Sequence, residues 1–477
     1  MHSDKKVKYL IKNIGILTIS NFASKIMVFL MVPLYTSILT TKEYGVYDLI
    51  ISSVQLLIPV FTLNIIDAVM RFTIEDASNS DSSRKNEVVS IGLEHLTMSF
   101  IIVGISLVII FITGILHSIR GLEVFVFLYY LFYTLNQFMI QLAKGLEHVM
   151  YMGIAGIIGT IAQIVGNVIL LLYFELGLSG FFIANILAQA LPVAYFSVRL
   201  RIWQYIKTRS ARNRDKILHK EMLLYCMPLI FTTLGWWVNN AADKYSVFFI
   251  IGTASTGILS ISYKIPTILN VVQSIFIQAW QISAIKEYET EDVGSFYGKT
   301  FVCLNLLMSL AASVLIILSR PLASFFYAND FYVAWKYVPF LLIAGIFNSA
   351  SGFLGPVLAA AKDSKSMAKS AIYGTVSNII FNISLVYLIG LQGATIATAI
   401  SSYVIYFVRK KAVGSNIVIE KYWKVYVGWA LLCVQTIIEI FSIGYFIELF
   451  IIVTIVMINW KVICGLLEKS LNIITKK

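Results

Sequence analysis

The sequence predicts an all-α integral membrane protein with about 14 transmembrane helices: two parallel six-helix lobes plus two extra C-terminal helices. Three observations carry that expectation. The first is composition. Of 477 residues, 58% are hydrophobic and only 13% charged, where a soluble domain is about 25% charged and roughly half apolar. The second is length. About fourteen spans of ~20 residues need about 280 residues, which matches the apolar share and leaves little chain for a soluble domain. The third is internal likeness, since motifs of the first half recur in order in the second. Together these exclude a soluble globular enzyme, a disordered chain and a secreted disulfide scaffold.

Taken in order, the apolar segments fall at 12–38, 45–70, 88–113, 122–143, 151–174, 178–198, 222–250, 254–283, 300–318, 336–360, 369–389, 393–408, 425–441 and 443–464. Segment 1 follows Lys5-Lys6-Val7-Lys8 and is far longer than the apolar core of a signal peptide, so it reads as its own anchor. Segments 2, 7 and 8 carry Pro59, Pro228 and Pro266. Proline is tolerated in a spanning helix when neighbours re-satisfy the freed carbonyl, and bendable helices suit a transporter.

Basic residues test the count. With the N-terminus cytoplasmic, 30 of the 37 Lys and Arg fall in inside segments and 4 outside (Lys42, Arg120, Arg320, Lys336), and 3 lie within helices (Lys25, Lys244, Lys264). Such a bias sets orientation in polytopic proteins and puts both termini inside. It also accounts for the net charge of +12 without nucleic acid. Eight of the inside cations crowd into 199–221, a basic loop suited to the anionic inner leaflet.

That loop divides the repeat. Gly159-Thr160, Asn167, Gly177-Leu178, Gly180 and Ala184 recur as Gly374-Thr375, Asn382, Gly390-Leu391, Gly393 and Ala397. The implied organisation is an N-terminal lobe over 1–198, the loop 199–221, a C-terminal lobe over 222–411, and two further helices with a tail over 412–477. Six helices per half give both halves the same orientation, an arrangement found in alternating-access transporters.

Ionisable groups within spans are expensive and by default mark function. Lys25 lies near the middle of segment 1. Asp67 and Arg71 lie toward the inner end of segment 2. Asp243 and Lys244 occupy the outer half of segment 7, and Lys264 the outer half of segment 8. Lys25, Asp243, Lys244 and Lys264 sum to a positive charge, which suits an anionic substrate such as a lipid-borne diphosphate. Asp67 and Asp243 are candidates for ion coupling. Structural readings stand beside these: ion pairs between helices, Lys264 snorkelling to the surface, and Arg71 as the cytoplasmic stop of its helix. Asn239 and Gln278 could bond sugar hydroxyls or glue helices together. Trp237 could stack on a sugar ring or fill space. Cys226, Cys303, Cys433 and Cys464 show neither CxxC nor metal-ligand spacing, so no metal and no cofactor is expected. No GxxxxGK[ST], HExxH or GxSxG motif is present, which argues against direct ATP drive and against an enzyme.

Several stretches carry a family resemblance. They are Thr41-Lys42-Glu43-Tyr44-Gly45-Val46-Tyr47-Asp48 with Leu63 to Arg71-Phe72; Met227-Pro228-Leu229-Ile230 with Trp236-Trp237-Val238-Asn239 and Asp243-Lys244-Tyr245; Tyr263-Lys264-Ile265-Pro266; Phe276-Ile277-Gln278-Ala279-Trp280; and Gly390-Leu391-Gln392-Gly393-Ala394-Thr395-Ile396-Ala397-Thr398. The chain resembles Wzx-type O-antigen and capsule repeat-unit flippases, of the polysaccharide transporter family in the MATE-like exporter superfamily. The resemblance implies movement of an undecaprenyl-diphosphate-linked glycan across a bacterial inner membrane, with membrane lipids, a polymerase and a chain-length regulator as partners. In the similar peptidoglycan-precursor flippases the last two helices form a groove for the lipid tail. The competing readings are a MATE-type drug antiporter, a repeat-unit polymerase and a major-facilitator porter. The net positive cavity, the short outside loops and the acidic stretch Glu75-Asp76-Ala77-Ser78-Asn79-Ser80-Asp81 weigh against them in that order.

Overall fold

The structure, a computed structural model, describes residues 26–27, 29–77, 82–114, 120–208, 216–288, 293–414 and 422–460. Every described element is a helix. Eleven are long and apolar enough to cross a membrane, twelve with one bent pair taken as a single span. These coincide with predicted segments 2 to 13. Segment 1 lies largely outside the described residues, and segment 14 is described through residue 460, its helix running over Tyr445–Ile458. The helices divide into two compact units, Met1–Val238 and Asn239–Lys477.

The first unit contains α1 (Val32–Ile38), α2 (Thr41–Phe61), α3 (Ile65–Ala77), α4 (Ser82–Thr113), α5 (Glu123–Gly145), α6 (Val149–Asn167), α7 (Gly177–Arg199), α8 (Ile202–Thr208) and the leading part of α9 (Lys216–Ile250). A capping box starts α2: Thr40 Oγ1 accepts from the Glu43 amide at 3.2 Å, and the Thr40 amide donates to Glu43 Oε2 at 2.8 Å. The amides that a first turn leaves without partners are thereby satisfied. Just inside it, Tyr44 stacks on Tyr35 with centroids 5.4 Å apart, and Tyr47 meets Phe181 at 4.5 Å. The aromatic residues of the family-like opening motif are therefore packing groups. The leading part of α9 is fastened within this unit along its length. Cys226 Sγ donates to the Asn64 carbonyl at 3.4 Å, and Trp237 Nε1 donates to the Ser52 carbonyl at 2.7 Å.

The second unit contains the rest of α9, α10 (Thr253–Ser262), α11 (Lys264–Lys286), α12 (Val293–Ile317), α13 (Ser319–Phe326), a 3-10 turn over Asn329–Tyr337, α14 (Val338–Ala360), α15 (Ser364–Ile389), α16 (Leu391–Val413), α17 (Tyr422–Phe441) and α18 (Tyr445–Ile458). Its centre is α14, apolar but for Asn348, Ser349 and Ser351 and buried on nearly every side, as a helix hydrophobic nearly all round must be. Phe353 of α14 stacks on Trp280 at 4.1 Å while accepting the indole N–H on its carbonyl at 2.9 Å.

Residues matched across the repeat do the same work in both units. A Cβ on Gly159 of α6 would stand 2.8 Å from the Ala188 carbonyl oxygen of α7; one on Gly374 of α15 would stand 2.3 Å from Ile405 of α16. A Cβ on Gly180 would meet the Leu170 carbonyl at 3.0 Å, and one on Gly393 the Leu385 carbonyl at 2.1 Å. Small residues let two membrane helices approach closely where no hydrophobic force drives them together. Asn167 and Asn382, also repeat partners, are both buried.

Candidate polar sites in the two units

Segment 2 is one apolar run in sequence but two helices in space. Pro59 has no amide to donate and disturbs the last turn of α2. Leu63 and Asn64 follow at φ 51° and 54°, a region costing about 1–3 kcal/mol for residues other than glycine. The Asn64 amide returns to the Pro59 carbonyl at 3.1 Å, and α3 starts afresh. This puts Asp67 in the first turn of α3, where the helix dipole favours an anion. Asn64 Nδ2 donates to Asp67 Oδ2 at 2.8 Å, and Gln141 Nε2 of α5 donates to Oδ1 at 2.7 Å. Arg71, one turn further on, is exposed.

A cavity of about 480 Å³ opens between α5, α6 and α7, lined among others by Asn136, Lys144, Thr160, Gln163 and Gln189. Two amide pairs cross its walls: Asn136 Nδ2 to Gln189 Oε1 at 2.8 Å and Gln163 Nε2 to Asn185 Oδ1 at 2.9 Å. Gly156 and Gly159 of α6 line this space as well.

In the second unit the bend lies between α10 and α11, which meet at 40° at Tyr263, three residues before Pro266. The Tyr263 hydroxyl donates to Asp243 Oδ2, and the Lys244 amide to Asp243 Oδ1 at 2.8 Å. Asp243 is 3% exposed. The Lys244 contact with this carboxylate is made by its backbone amide; side chains one residue apart on a helix do not face each other. Lys244, Lys264 and Asn239 are half-buried, and Gln278 is exposed. The Asn239 Oδ1 is buried with no hydrogen-bond partner among the described residues. Trp237 belongs to the first unit, and its ring N–H is committed to Ser52. Lys25, central to the sequence reading, lies outside the described residues.

The structure thus joins Asp67 with Asn64 and Gln141, and Asp243 with Tyr263. The sequence reading missed Gln141 and the hydroxyl of Tyr263, because neither is charged. It also passed over Glu439 and Glu448, both 1% exposed. The same rule on intramembrane charge, applied to segments 13 and 14, would have found them.

Residues 10–281, more than half of the chain, match the family described as "Polysaccharide biosynthesis protein". Among solved structures, the chain is similar to lipid II flippase MurJ in an inward closed conformation (TM-score 0.69, 15% identity, covering 93% of this chain and 99% of that one). It is also similar to a multidrug resistance MATE family transporter of the MOP superfamily in an inward-facing conformation (TM-score 0.67, 13% identity, covering 84% and 98%). A third likeness is to MATE in complex with MaL6 (TM-score 0.54, 14% identity, covering 85% and 96%). No curated protein matches. At these identities the structural likeness establishes the fold, that of a MurJ- and MATE-like membrane transporter.

Proposed function

Since the chain belongs to the polysaccharide biosynthesis protein family, we propose that it is a Wzx-type flippase that carries undecaprenyl-diphosphate-linked oligosaccharide repeat units, for O-antigen, capsule or a related polymer, across the bacterial inner membrane by alternating access. The family match carries this reading. The fold supports it, being shared with a lipid II flippase. The polar head of the substrate passes through the protein while the tail stays in the bilayer, because moving the tail through a polar passage would forfeit about 0.8 kcal/mol per CH₂. Lys25, Lys244 and Lys264 supply positive charge for the diphosphate. Arg71, Asn239, Gln278 and Trp237 complete the set of substrate contacts, and Asp67 and Asp243 couple an ion. Both termini lie in the cytoplasm. The membrane potential, inside negative, draws the empty cationic carrier back, at about 2.3 kcal/mol per charge per 100 mV.

The test is a reconstituted vesicle holding the full chain and a fluorescent undecaprenyl-diphosphate-linked oligosaccharide. The probe should become accessible to an impermeant glycosidase in the opposite leaflet. Lys25→Ala should abolish this at normal protein levels, and Lys25→Arg should restore part of it. A vesicle that extrudes organic cations and leaves the probe in place would overturn the flippase reading in favour of a drug antiporter.

A further inference from the structure

Arg320, Glu439 and Glu448 come together within the second unit, where α13 meets the end of α17 and the start of α18. Arg320 Nε lies 3.0 Å from Glu439 Oε1. The same guanidinium donates to the Glu439 carbonyl and to Ser442 Oγ, and sits 4.3 Å above the Trp335 ring. Ser319 Oγ donates to Glu439 Oε1 at 3.0 Å. Glu448 approaches from the first turn of α18. The groups that face it are Glu439 and Gln435 of α17 and Arg320 of α13. From α12, the other helix packed against α18, the nearby contribution is neutral: Ser313 exchanges two hydrogen bonds with Gln435. Lys424 is at the opposite end of α17, where it donates to the Ile458 carbonyl. Lys336 lies 6.0 Å from the Trp335 ring.

The cluster's charges do not balance. One guanidinium faces two carboxyls, and both glutamates are 1% exposed. Glu439 takes the ion pair and the serine hydroxyl. Glu448 is left against a carboxylate, and its Oε2 is buried with no hydrogen-bond partner among the described residues. Two carboxylates in contact in a dry site do not both ionise, and a buried anion without a cation is costly. A bound proton resolves both problems. One Glu448 oxygen becomes a hydroxyl that donates to Glu439. The unpartnered Oε2 becomes the carbonyl of a neutral acid, which loses far less without a donor than a carboxylate oxygen does.

We propose that Glu439 and Glu448 share one proton and form a proton-binding site that fastens α18 to α13 and α17. With the proton bound, the cluster is neutral and the last helix is tied in by a carboxyl–carboxylate hydrogen bond. Loss of the proton leaves a net negative charge at the junction and two carboxylates that repel, so the attachment of α18 loosens as the pH rises. The site is independent of the substrate reading, because it needs only these side chains and water.

The test is infrared spectroscopy of the full chain in lipid vesicles, which separates the C=O stretch of a protonated carboxyl from carboxylate bands. The wild type at neutral pH should show a protonated band that shifts on labelling with carbon-13 glutamate. Both Glu448→Gln and Glu439→Gln should lose it, since each leaves one carboxylate for one guanidinium. Arg320→Gln should roughly double it, because two carboxyls then share no cation. Gel filtration checks that each variant is folded. A wild-type protein with no glutamate-derived protonated band overturns the proposal without recourse to any variant. So does a band that survives in Glu448→Gln, and a band lost in Glu448→Gln but kept in Glu439→Gln means the proton is not shared.

Discussion

The contact between Tyr263 and Asp243 links the bend of α10 and α11 to the buried carboxylate of α9, and it can be tested by removing one oxygen atom. Tyr263→Phe keeps the ring and deletes the hydroxyl that donates to Asp243 Oδ2. Asp243 is 3% exposed and retains the Lys244 amide at 2.8 Å, so water does not readily replace the missing donor. A hydrogen bond to a charged group contributes about 1.5–3 kcal/mol, which at about 1.4 kcal/mol per tenfold corresponds to roughly 10- to 150-fold in an equilibrium. If ion coupling runs through Asp243, export should fall by a factor in that range in Tyr263→Phe. Asp243→Asn should fall at least as far, because it removes the ionisable group itself. The double variant should be no worse than Asp243→Asn, since the hydroxyl acts only through the carboxylate. A double-mutant cycle on export rates, with membrane levels measured in parallel, therefore has a strong interaction term. Additive losses would show that Tyr263 and Asp243 act separately and would refute the link between bend and carboxylate.

Three further outcomes are expected. Gly393→Ala drives a Cβ to 2.1 Å from the Leu385 carbonyl oxygen; overpacking of this kind costs about 1–3 kcal/mol, so the variant should give less monodisperse protein in detergent, while Gly235→Ala, with nothing within 4 Å, should not. Gln141→Leu strips the 2.7 Å donor from the half-buried Asp67 and should lower the melting temperature of the purified protein, by the equivalent of about 1 kcal/mol because water can replace part of the lost bond; a Leu variant that melts like the wild type would remove Gln141 from the site. Reporter fusions after residues 147, 210, 290 and 365 should report cytoplasm, and fusions near 42, 252, 328 and 391 the outside; one reversal along this series would break the orientation inferred from the basic loops.

Much of the architecture was legible because membrane spans advertise themselves by apolar length, and segments 2 to 13 all recur as helices or helix pairs. The repeat was legible for a packing reason: Gly159, Gly180, Gly374 and Gly393 stand where another backbone or side chain comes too close for a Cβ. Breaks were harder to read. Pro59 announced a bend, but the two left-handed residues after it, Leu63 and Asn64, carry no glycine signal, so the division into α2 and α3 was invisible. The sites were legible only in part. Charge inside an apolar run pointed to Asp67 and Asp243, and Asn64 is a local partner three residues before Asp67, whereas Gln141 and Tyr263 are set by tertiary approach, which no local pattern encodes. Arg320 was read as an outside loop residue because sequence shows proximity to a span's end and says nothing of the glutamate waiting there.

The burial of α14 has a consequence for how the chain is made. During synthesis α14 enters the bilayer after α11 and α12 but before α16 and α17, all four of which pack against it in the finished unit. Until those later helices arrive, one flank of α14 rests on lipid. The flank tolerates that wait because the helix is mostly apolar, with Asn348, Ser349 and Ser351 its only polar side chains, and lipid is nearly as good a solvent for it as protein. Exchange of lipid for helix is then driven by close fit, and Gly355 marks one such place: a Cβ there would stand 3.4 Å from the Arg409 guanidinium of the later helix α16. A bulky residue at Gly355 should therefore spare insertion and stall assembly, leaving a chain that is fully threaded through the membrane and not yet folded.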